Sequence, residues 1–487
     1  MGNIESLKYF IPELIIVVSI LVVVLLDLIK LKKYILSFIV IIPFFIGFSL
    51  FSQGYSNEHI FLGMLTIDSL SYYFKWIMLL STFSILIVSF YSKKLDKVYM
   101  AEYNMLLLCI LLGMFLMVSS VNLIMIYLAI ELVSIPSYIL AGIIKNDKKS
   151  NEASLKYVIF GSFASGLMLY GLSLLYGVSG SFELHVIAES ILKVENPYML
   201  YMSIILILVG FGYKISMAPM HYWTPDVYEG SPTTITAFLS VAPKAAGFGL
   251  LMRVFMSIFT QGQDAGFTLL ENVQGYVMAN WSLIIAVLAA ATMTIGNVLA
   301  IKQDNVKRML AYSTISHVGF MLMAFSTVSM EANIAITIYL TIYMFMNLAA
   351  FYMVIYAENQ FDAQNLDDWN GLGYKNMVLG ACMVITLVSL AGLPPTSGFF
   401  GKVYLFRTLF AENKYIWLGI VGILNSVVSL YYYFRIVKRM YFKEIESTST
   451  IKAHPVIYWS IIILSSQNIL FYLYWDNLYN YIKGLFI

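Results

Sequence analysis

Apolar residues run in blocks of about 20 along nearly the whole chain, the length an α-helix needs to cross the hydrocarbon core of a bilayer. The blocks fall near 10–29, 34–52, 71–91, 102–119, 121–143, 151–177, 198–217, 232–259, 276–301, 305–327, 331–357, 376–410, 414–441 and 455–480. They predict fourteen transmembrane helices and no strand. The expected fold class is therefore an all-α polytopic membrane protein.

Composition points the same way. Of 487 residues, 60% are hydrophobic and 11% charged, whereas a soluble domain carries about 25% charge. A soluble protein is excluded, and a net charge of +2 gives no field that would attract nucleic acid. The position of charge is more informative than its total, because cytoplasmic loops accumulate Lys and Arg. Loops after odd-numbered spans, with the span ends beside them, hold eighteen basic residues, among them Lys30, Lys32, Lys33, Lys93, Lys94, Lys97, Lys148, Lys149, Lys307, Arg308, Arg435 and Lys452. The opposite side has four, Lys8, Lys193, Lys414 and Lys483, so both termini are expected outside the cytoplasm. The first run ends in lysines rather than a small-residue cleavage site, which reads as a retained helix, not a removed signal peptide.

Redox and metal chemistry find little support. Cys109 and Cys382 are too few for an iron–sulfur cluster or a four-ligand zinc site and read as small buried hydrophobes. The histidines, His59, His185, His221, His317 and His454, show no arrangement for bis-histidine haem ligation. No glycine-rich nucleotide fingerprint follows a strand, so NADH binding is not expected here. The 36 Tyr and 33 Phe read mostly as lipid-facing and interfacial packing and call for no cofactor.

Charges inside the spans carry the functional signal. Lys75, Arg253 and Arg407 fall near span ends, where long side chains can snorkel to the interface. Glu131, Lys156, Lys214, Lys244 and Lys402 lie within spans, where each costs about 2.5 to 3.5 kcal/mol at a helix centre. Six of the eleven prolines, Pro219, Pro225, Pro232, Pro243, Pro394 and Pro395, crowd in or beside two segments, GFGYKISMAPMHYWTPDVYEGSPT from Gly210 and AGLPPTSGFFGK from Ala391. Proline removes a backbone donor, so a break inside a membrane must line a polar cavity or be covered by protein. The two breaks fall in the fourth span of two five-helix blocks, helices 4–8 and 9–13. Five is odd, so the second block is inverted, and paired breaks in inverted repeats point to a transport pathway. The expected organisation is three N-terminal helices over 1–100, a first repeat over 101–260, an inverted second repeat over 275–441, and a cytoplasmic loop with a final helix over 442–487. Glu131 and His317 hold similar places in the second spans of their blocks.

At these residues the chain resembles subunit N of the bacterial proton-pumping NADH-quinone oxidoreductases, respiratory complex I, the counterpart of mitochondrial subunit 2. The segments carrying the resemblance are NLIMIYLAIELVSIPSYILAG from Asn122, EASLKYVIFGSFASGLMLYGLSLLYG from Glu152, APMHYWTPDVYEGSPTTITAFLSVAPKAAGFGLLMR from Ala218, QDNVKRMLAYSTISHVGFML from Gln303 and AGLPPTSGFFGK. Asp226-Val227-Tyr228-Glu229-Gly230, Lys402 in the second broken helix, and the end of the chain after span fourteen resemble N rather than its sister subunits L and M. Met220 before His221 is a mild departure. The resemblance implies an antiporter-like fold with helices 7 and 12 broken, and proton translocation coupled to electron transfer from NADH to quinone in other subunits. NADH, FMN, iron–sulfur clusters and quinone then belong to the complex, with no cofactor in this chain, its partners are the other membrane-arm subunits and the lipid bilayer, and its expected location is the bacterial inner membrane. It further implies that Glu131 pairs with Lys214, that Lys156 lies close to that pair, that Lys244 relays, that Lys402 faces the far exit, and that His317 stands on the central axis.

A carboxylate and an amine sharing a desolvated site hold each other charged, so a change at Glu131 shifts the pairing of Lys214 and then Lys244 and Lys402 as coupled titrations. Structural alternatives stand beside this: an inert clamp for Glu131 and Lys214, snorkelling for Lys402, an interfacial role for Lys156, and an interhelical hydrogen bond for His317. His221, Asp226 and Glu229 read as loop bracing and helix capping. A stand-alone cation/proton antiporter and a non-pumping scaffold are the rival functions.

Overall fold

The computed structural model of the chain describes all residues except 1, 32–33, 96–98, 192–193, 195–196, 260–272, 412, 444–452 and 487. All fourteen apolar runs are helical. In chain order the spans and their breaks form α1 (Ile11–Leu28), α2 (Ile35–Gln53), α3 (Ser69–Ser89), α4 (Met100–Ser119), α5 (Leu123–Ala141), α6 (Lys148–Ser179), α7 (Pro197–Ile215), α8 (Trp223–Gly230) and α9 (Thr233–Phe259), beside shorter helices such as Leu184–Ile191. They continue with α10 (Val273–Ile301), α11 (Val306–Phe325), α12 (Met330–Phe361), α13 (Met377–Ala391), α14 (Ser397–Ala411), α15 (Ile416–Phe442), α16 (Pro455–Leu473) and α17 (Trp475–Lys483). Twelve helices among the described residues are long and apolar enough to cross a membrane, and α13 is a shorter apolar helix. Lys32, Lys33, Lys97, Lys193 and Lys452 and most of the loop after α15 lie outside the described residues.

Inside a bilayer each backbone N–H and C=O must be satisfied within the protein, and the helix ends carry residues that do this. Asp68 caps α3 in a reciprocal box with Ser71, while Asn122, Asp147, Asn305, Ser329 and Asn376 accept from the first turns of α5, α6, α11, α12 and α13. Predicted span 376–410 is two helices, interrupted between Ala391 and Ser397, and 455–480 divides at Tyr474. Pro243, grouped with the first break by sequence, lies inside an unbroken α9.

One element departs from the expected all-helical chain. Strands β1 (Glu58–Ile60) and β2 (Leu65–Ile67) pair antiparallel, with His59 opposite Thr66. Phe61, Leu62 and Gly63 turn the chain between them with positive φ. Six residues of strand without a long alternating pattern leave little periodic signal.

Helices α9 and α12 form the protein's axis. The apolar window of α9 is buried throughout and that of α12 almost so, whereas α1 and α16 bury 28% of theirs and present the rest outward. The two broken spans are α7 with α8, the fourth span of the series α4 to α9, and α13 with α14, the fourth of the series α10 to α15. One ion pair ties the N-terminal helices α1 and α3 to each other, and another ties α3 to α9. Lys75 and Arg253, expected to snorkel, are buried instead: Lys75 meets Glu13 at 2.6 Å, and Arg253 grips both oxygens of Asp68 at 2.7 Å. Each acid lies on another element, so its lysine or arginine need not reach for the interface. Arg407 is exposed and lies 5.7 Å from the Tyr404 ring.

Candidate functional site

The first break begins one residue beyond Lys214. Ser216 adopts a left-handed backbone (φ 66°), and Pro219 lacks the donor a continuing helix would need. The last carbonyls of α7 are thereby released from helical pairing and find side chains. Trp223 Nε1 donates to the Tyr213 carbonyl at 3.1 Å, and Lys244 Nζ donates to that of Ile215 at 3.3 Å. Lys244 also donates to Ser216 Oγ at 2.6 Å, and Ser216 Oγ accepts from Thr224 Oγ1 at 2.8 Å. A helix C-terminus carries partial negative charge, which favours a cation there. Lys244 is fully buried, with the Trp223 and Tyr228 rings 5.6 and 5.9 Å away.

Gly247, one turn beyond Lys244, sets this approach. A Cβ there would lie 2.7 Å from Ile215 Cγ2, so any side chain would push α9 off the end of α7.

Lys214 is buried and donates to Ser134 Oγ at 3.1 Å. Ser134 lies one turn beyond Glu131 on α5, on the same helix face. Glu131 itself is half-buried and accepts from Ser165 Oγ at 2.5 Å. Lys214 and Glu131 interact electrostatically, and Lys214 acts in turn on Lys244. No ion pair within 4.0 Å joins Glu131 and Lys214, and Ser134 Oγ, which accepts from Lys214, donates to the Ile130 carbonyl at 2.7 Å rather than to Glu131.

The second break repeats the arrangement with other residues. α13 ends at Gly392 (φ 83°), and Lys402 on α14 folds back so that its Nζ donates to the Ala391 carbonyl at 2.7 Å and to Ser426 Oγ at 3.1 Å. The Phe320 ring stands 4.9 Å from this ammonium. His317, on α11, acts electrostatically with Lys402 and is held between two phenols, Nδ1 2.7 Å from Tyr339 Oη and Nε2 3.0 Å from Tyr433 Oη. Tyr433 shares a further hydrogen bond with Ser313. Tyr343 stacks obliquely on His317 at 5.2 Å and donates to Thr314 Oγ1 at 3.0 Å.

Lys156 belongs to a different group. Its Nζ contacts Glu152 at 2.7 Å and Asp226 at 2.6 Å, with no contact to Glu131 or Lys214. Arg308 bridges Asp226 at 2.6 Å and Glu229 at 3.0 Å, and Lys149 reaches Glu229 at 2.9 Å. This network braces α8 against α6 and α11, and so joins one repeat to the other. Burial opposes ionisation of Asp226 and Glu229, yet Lys156 and Arg308 on the first, and Lys149 and Arg308 on the second, outweigh it and hold both carboxyls below their usual range. Burial lowers the pKa of His221, whose Nδ1 has no hydrogen bond.

Sequence reading missed the phenols. Tyr228, Tyr339, Tyr343 and Tyr433 depart from the mainly lipid-facing and interfacial expectation for tyrosine: all four are buried. The four-residue spacing of Tyr339 and Tyr343 on one helix face was the available signal. Among the described residues, no group of three or more His, Cys, Asp or Glu could hold a metal ion.

The arrangement is a row of buried amines and one imidazole, linked by hydroxyls and by electrostatic action. Such groups can bind and release protons in sequence. The family described as NADH:quinone oxidoreductase/Mrp antiporter, TM, matches residues 120–429, which contain all of them. NADH-quinone oxidoreductase subunit N 2 of Sorangium cellulosum is 39% identical over 505 aligned positions, covering 99% of this chain and 97% of the relative. Its namesake from Chloroherpeton thalassium is 40% identical, covering 90% and 86%. A chain of respiratory complex I from Thermus thermophilus superposes with a TM-score of 0.76 at 26% identity, covering 96% of this chain and 98% of that one. The chain therefore belongs to the NADH:quinone oxidoreductase/Mrp antiporter membrane family and, within it, to the subunit N group of the NADH-quinone oxidoreductases.

Proposed function

We propose that this chain is a membrane-arm subunit of an NADH-quinone oxidoreductase and moves protons across the membrane as electrons pass from NADH to quinone in other subunits. It contributes to a proton-translocating enzyme without a redox centre of its own. NADH, FMN, the iron–sulfur clusters and quinone belong to partner subunits. The charge asymmetry of the loops supports the reading that both termini lie on the non-cytoplasmic side of a bacterial inner membrane.

The supporting observation is that Lys214, Lys244 and Lys402 are all buried, yet each is held by hydroxyls or released helix-end carbonyls rather than by a carboxylate in direct contact. A buried lysine locked to an acid is an inert clamp, whereas one held by neutral dipoles can change protonation without breaking a buried ion pair. In this reading, a charge change near Glu131 alters the field at Lys214, which repels or releases the proton on Lys244. Tyr228, Tyr343 and His317 then link Lys244 to Lys402. Glu131 and Lys214 start the relay, Lys244 and Lys402 carry the proton, His317 couples the halves, and Lys156 positions α8.

Lys244→Met removes the amine while keeping a long apolar stem. The assembled complex carrying it is expected to oxidise NADH with fewer protons moved per electron. Unchanged stoichiometry would remove Lys244 from the path.

A further inference from the structure

Glu358 lies one turn before the end of α12, at the lysine-rich side of the protein, and no part of the relay above uses it. Its side chain is 2% exposed, although it belongs to the last turn of the helix. Two lysines from different elements face it, Lys94 beyond the end of α3 at 3.3 Å and Lys307 on α11 at 3.8 Å. Its other oxygen accepts from Thr233 Oγ1, the first residue of α9, at 2.6 Å. Thus the N-terminal helices, the first repeat and the second repeat all converge on one carboxylate.

The polar groups around it are graded from water to interior. Asp362 is 79% exposed and contacts Lys94 at 3.4 Å; Lys94 is 27% exposed and contacts Glu358. Lys307 donates to the Ser231 carbonyl at 3.0 Å and senses Glu229 and Lys149 beyond it. A static clamp needs one partner in a dry site. This carboxylate instead sits at the inner end of a charged series that starts in solvent.

On the inward side, α9 carries Thr233, Ser240 and Lys244 at spacings of seven and four, which places them on one helix face. Eleven residues of α-helix rise about 16 Å, so this face leads from Glu358 to the relay lysine. Thr236, between them, donates to the Tyr228 carbonyl at 2.9 Å. The Tyr228 hydroxyl is buried without a hydrogen bond, as are Ser231 Oγ and both amide atoms of Asn347. Asn347 lies one turn from Tyr343 on the face of α12 that also carries Phe351, which packs on Tyr228. Buried polar atoms are satisfied by water where protein does not reach them. Ser231, whose carbonyl accepts from Lys307, lies at the Glu358 end of this stretch, and the Tyr228 ring lies 5.9 Å from Lys244 Nζ at the other.

We infer that Glu358 is the carboxylate through which protons enter the subunit from the lysine-rich side, passing by Thr233 and the Ser240 face of α9 to Lys244. This rests on the proposed role of Lys244 as a proton carrier. The carboxylate takes a proton from bulk water; each hydroxyl or water along the file accepts one proton and gives up another. The Lys244 amine becomes an ammonium, and Glu358 returns to its anionic form. One proton has moved inward, and no other bond is made or broken. Lys94 and Lys307 stand 3.3 and 3.8 Å from the emptied carboxylate.

The test uses the whole complex in inside-out membrane vesicles, whose lysine-rich face meets the outer buffer. Glu358→Gln is expected to slow proton pumping per complex by about a hundredfold, with the remaining rate rising as outer pH is lowered, because loading from bulk has become limiting. Glu358→Asp is expected to restore most of the rate and the original pH profile. Wild-type rate and profile in Glu358→Gln would overturn the assignment, and so would a lower amount of complex whose pumping per complex keeps the wild-type pH profile. Lys244→Met separates the two claims. If it stalls pumping while Glu358→Gln pumps normally, the entry carboxylate alone is refuted; if Lys244→Met pumps normally, the relay falls and the entry route with it.

Discussion

Lys244 reaches from α9 to the interrupted end of α7 and donates to Ser216 Oγ at 2.6 Å. The contact depends on the break, since an unbroken α7 would keep its carbonyls in helical pairing and carry the chain away from Lys244. Ser216 has φ 66°, a conformation glycine adopts freely. Ser216→Gly therefore removes the hydroxyl and preserves the backbone. A hydrogen bond to a charged group contributes about 1.5 to 3 kcal/mol, so Lys244 loses one of its two supports. Pumping is expected to slow by about tenfold or more, with normal complex assembly, as measured by proton movement per complex in vesicles.

Gly392 performs the matching task at the second break. Its φ is 83°, and a Cβ there would lie 2.6 Å from Lys402 Cδ and 3.2 Å from Lys402 Nζ. Gly392→Ala thus strains the backbone by about 1 to 3 kcal/mol and displaces the lysine from the Ala391 carbonyl. A lower thermal transition together with reduced pumping is expected. Ala at Phe320, which leaves the lysine's hydrogen bonds intact, is expected to impair pumping less.

How much of this was readable from sequence depended on whether the signal was local. Glu131, Lys214, Lys244 and Lys402 stood out because a charge within an apolar run violates the pattern of the run itself. The two breaks were legible from their prolines for the same reason. Partners were not legible. Glu13 and Lys75, or Asp68 and Arg253, are far apart in sequence, and helical periodicity says which face a residue shares but not which helix packs on it. Arg253 near a span end looks the same whether it snorkels or binds an acid. The phenols around His317 were hidden differently, because tyrosine is common at membrane interfaces and its burial is decided by which helices surround it. Lys156, expected either close to Glu131 and Lys214 or in an interfacial role, contacts Glu152 and Asp226, and its placement follows from α8, whose packing on α6 no local pattern reveals.

The Asp68–Arg253 pair makes a pH prediction with a definite sign. Burial raises the Asp68 pKa, but Arg253 outweighs it and brings the carboxyl down to about 2 from an ordinary 3.8. A folded-state pKa below the unfolded one adds stability above the unfolded value, and that stability is lost as pH falls toward the folded value. Asp68→Asn should therefore lower the thermal transition of the complex by an amount that is constant from about pH 8 to pH 5 and shrinks only below about pH 4. Thermal unfolding of both proteins across that range is the check; a difference already fading near pH 6 would contradict the pairing.

The central claim is that buried charges beginning at Glu131 and Lys214 move protons rather than hold helices together. The most direct measurement is the proton-to-electron stoichiometry of complexes carrying Glu131→Ala or Lys214→Ala, taken beside the amount of assembled complex. Assembled complexes that oxidise NADH and reduce quinone with a lowered stoichiometry are the expected result. Wild-type stoichiometry in both variants would contradict it.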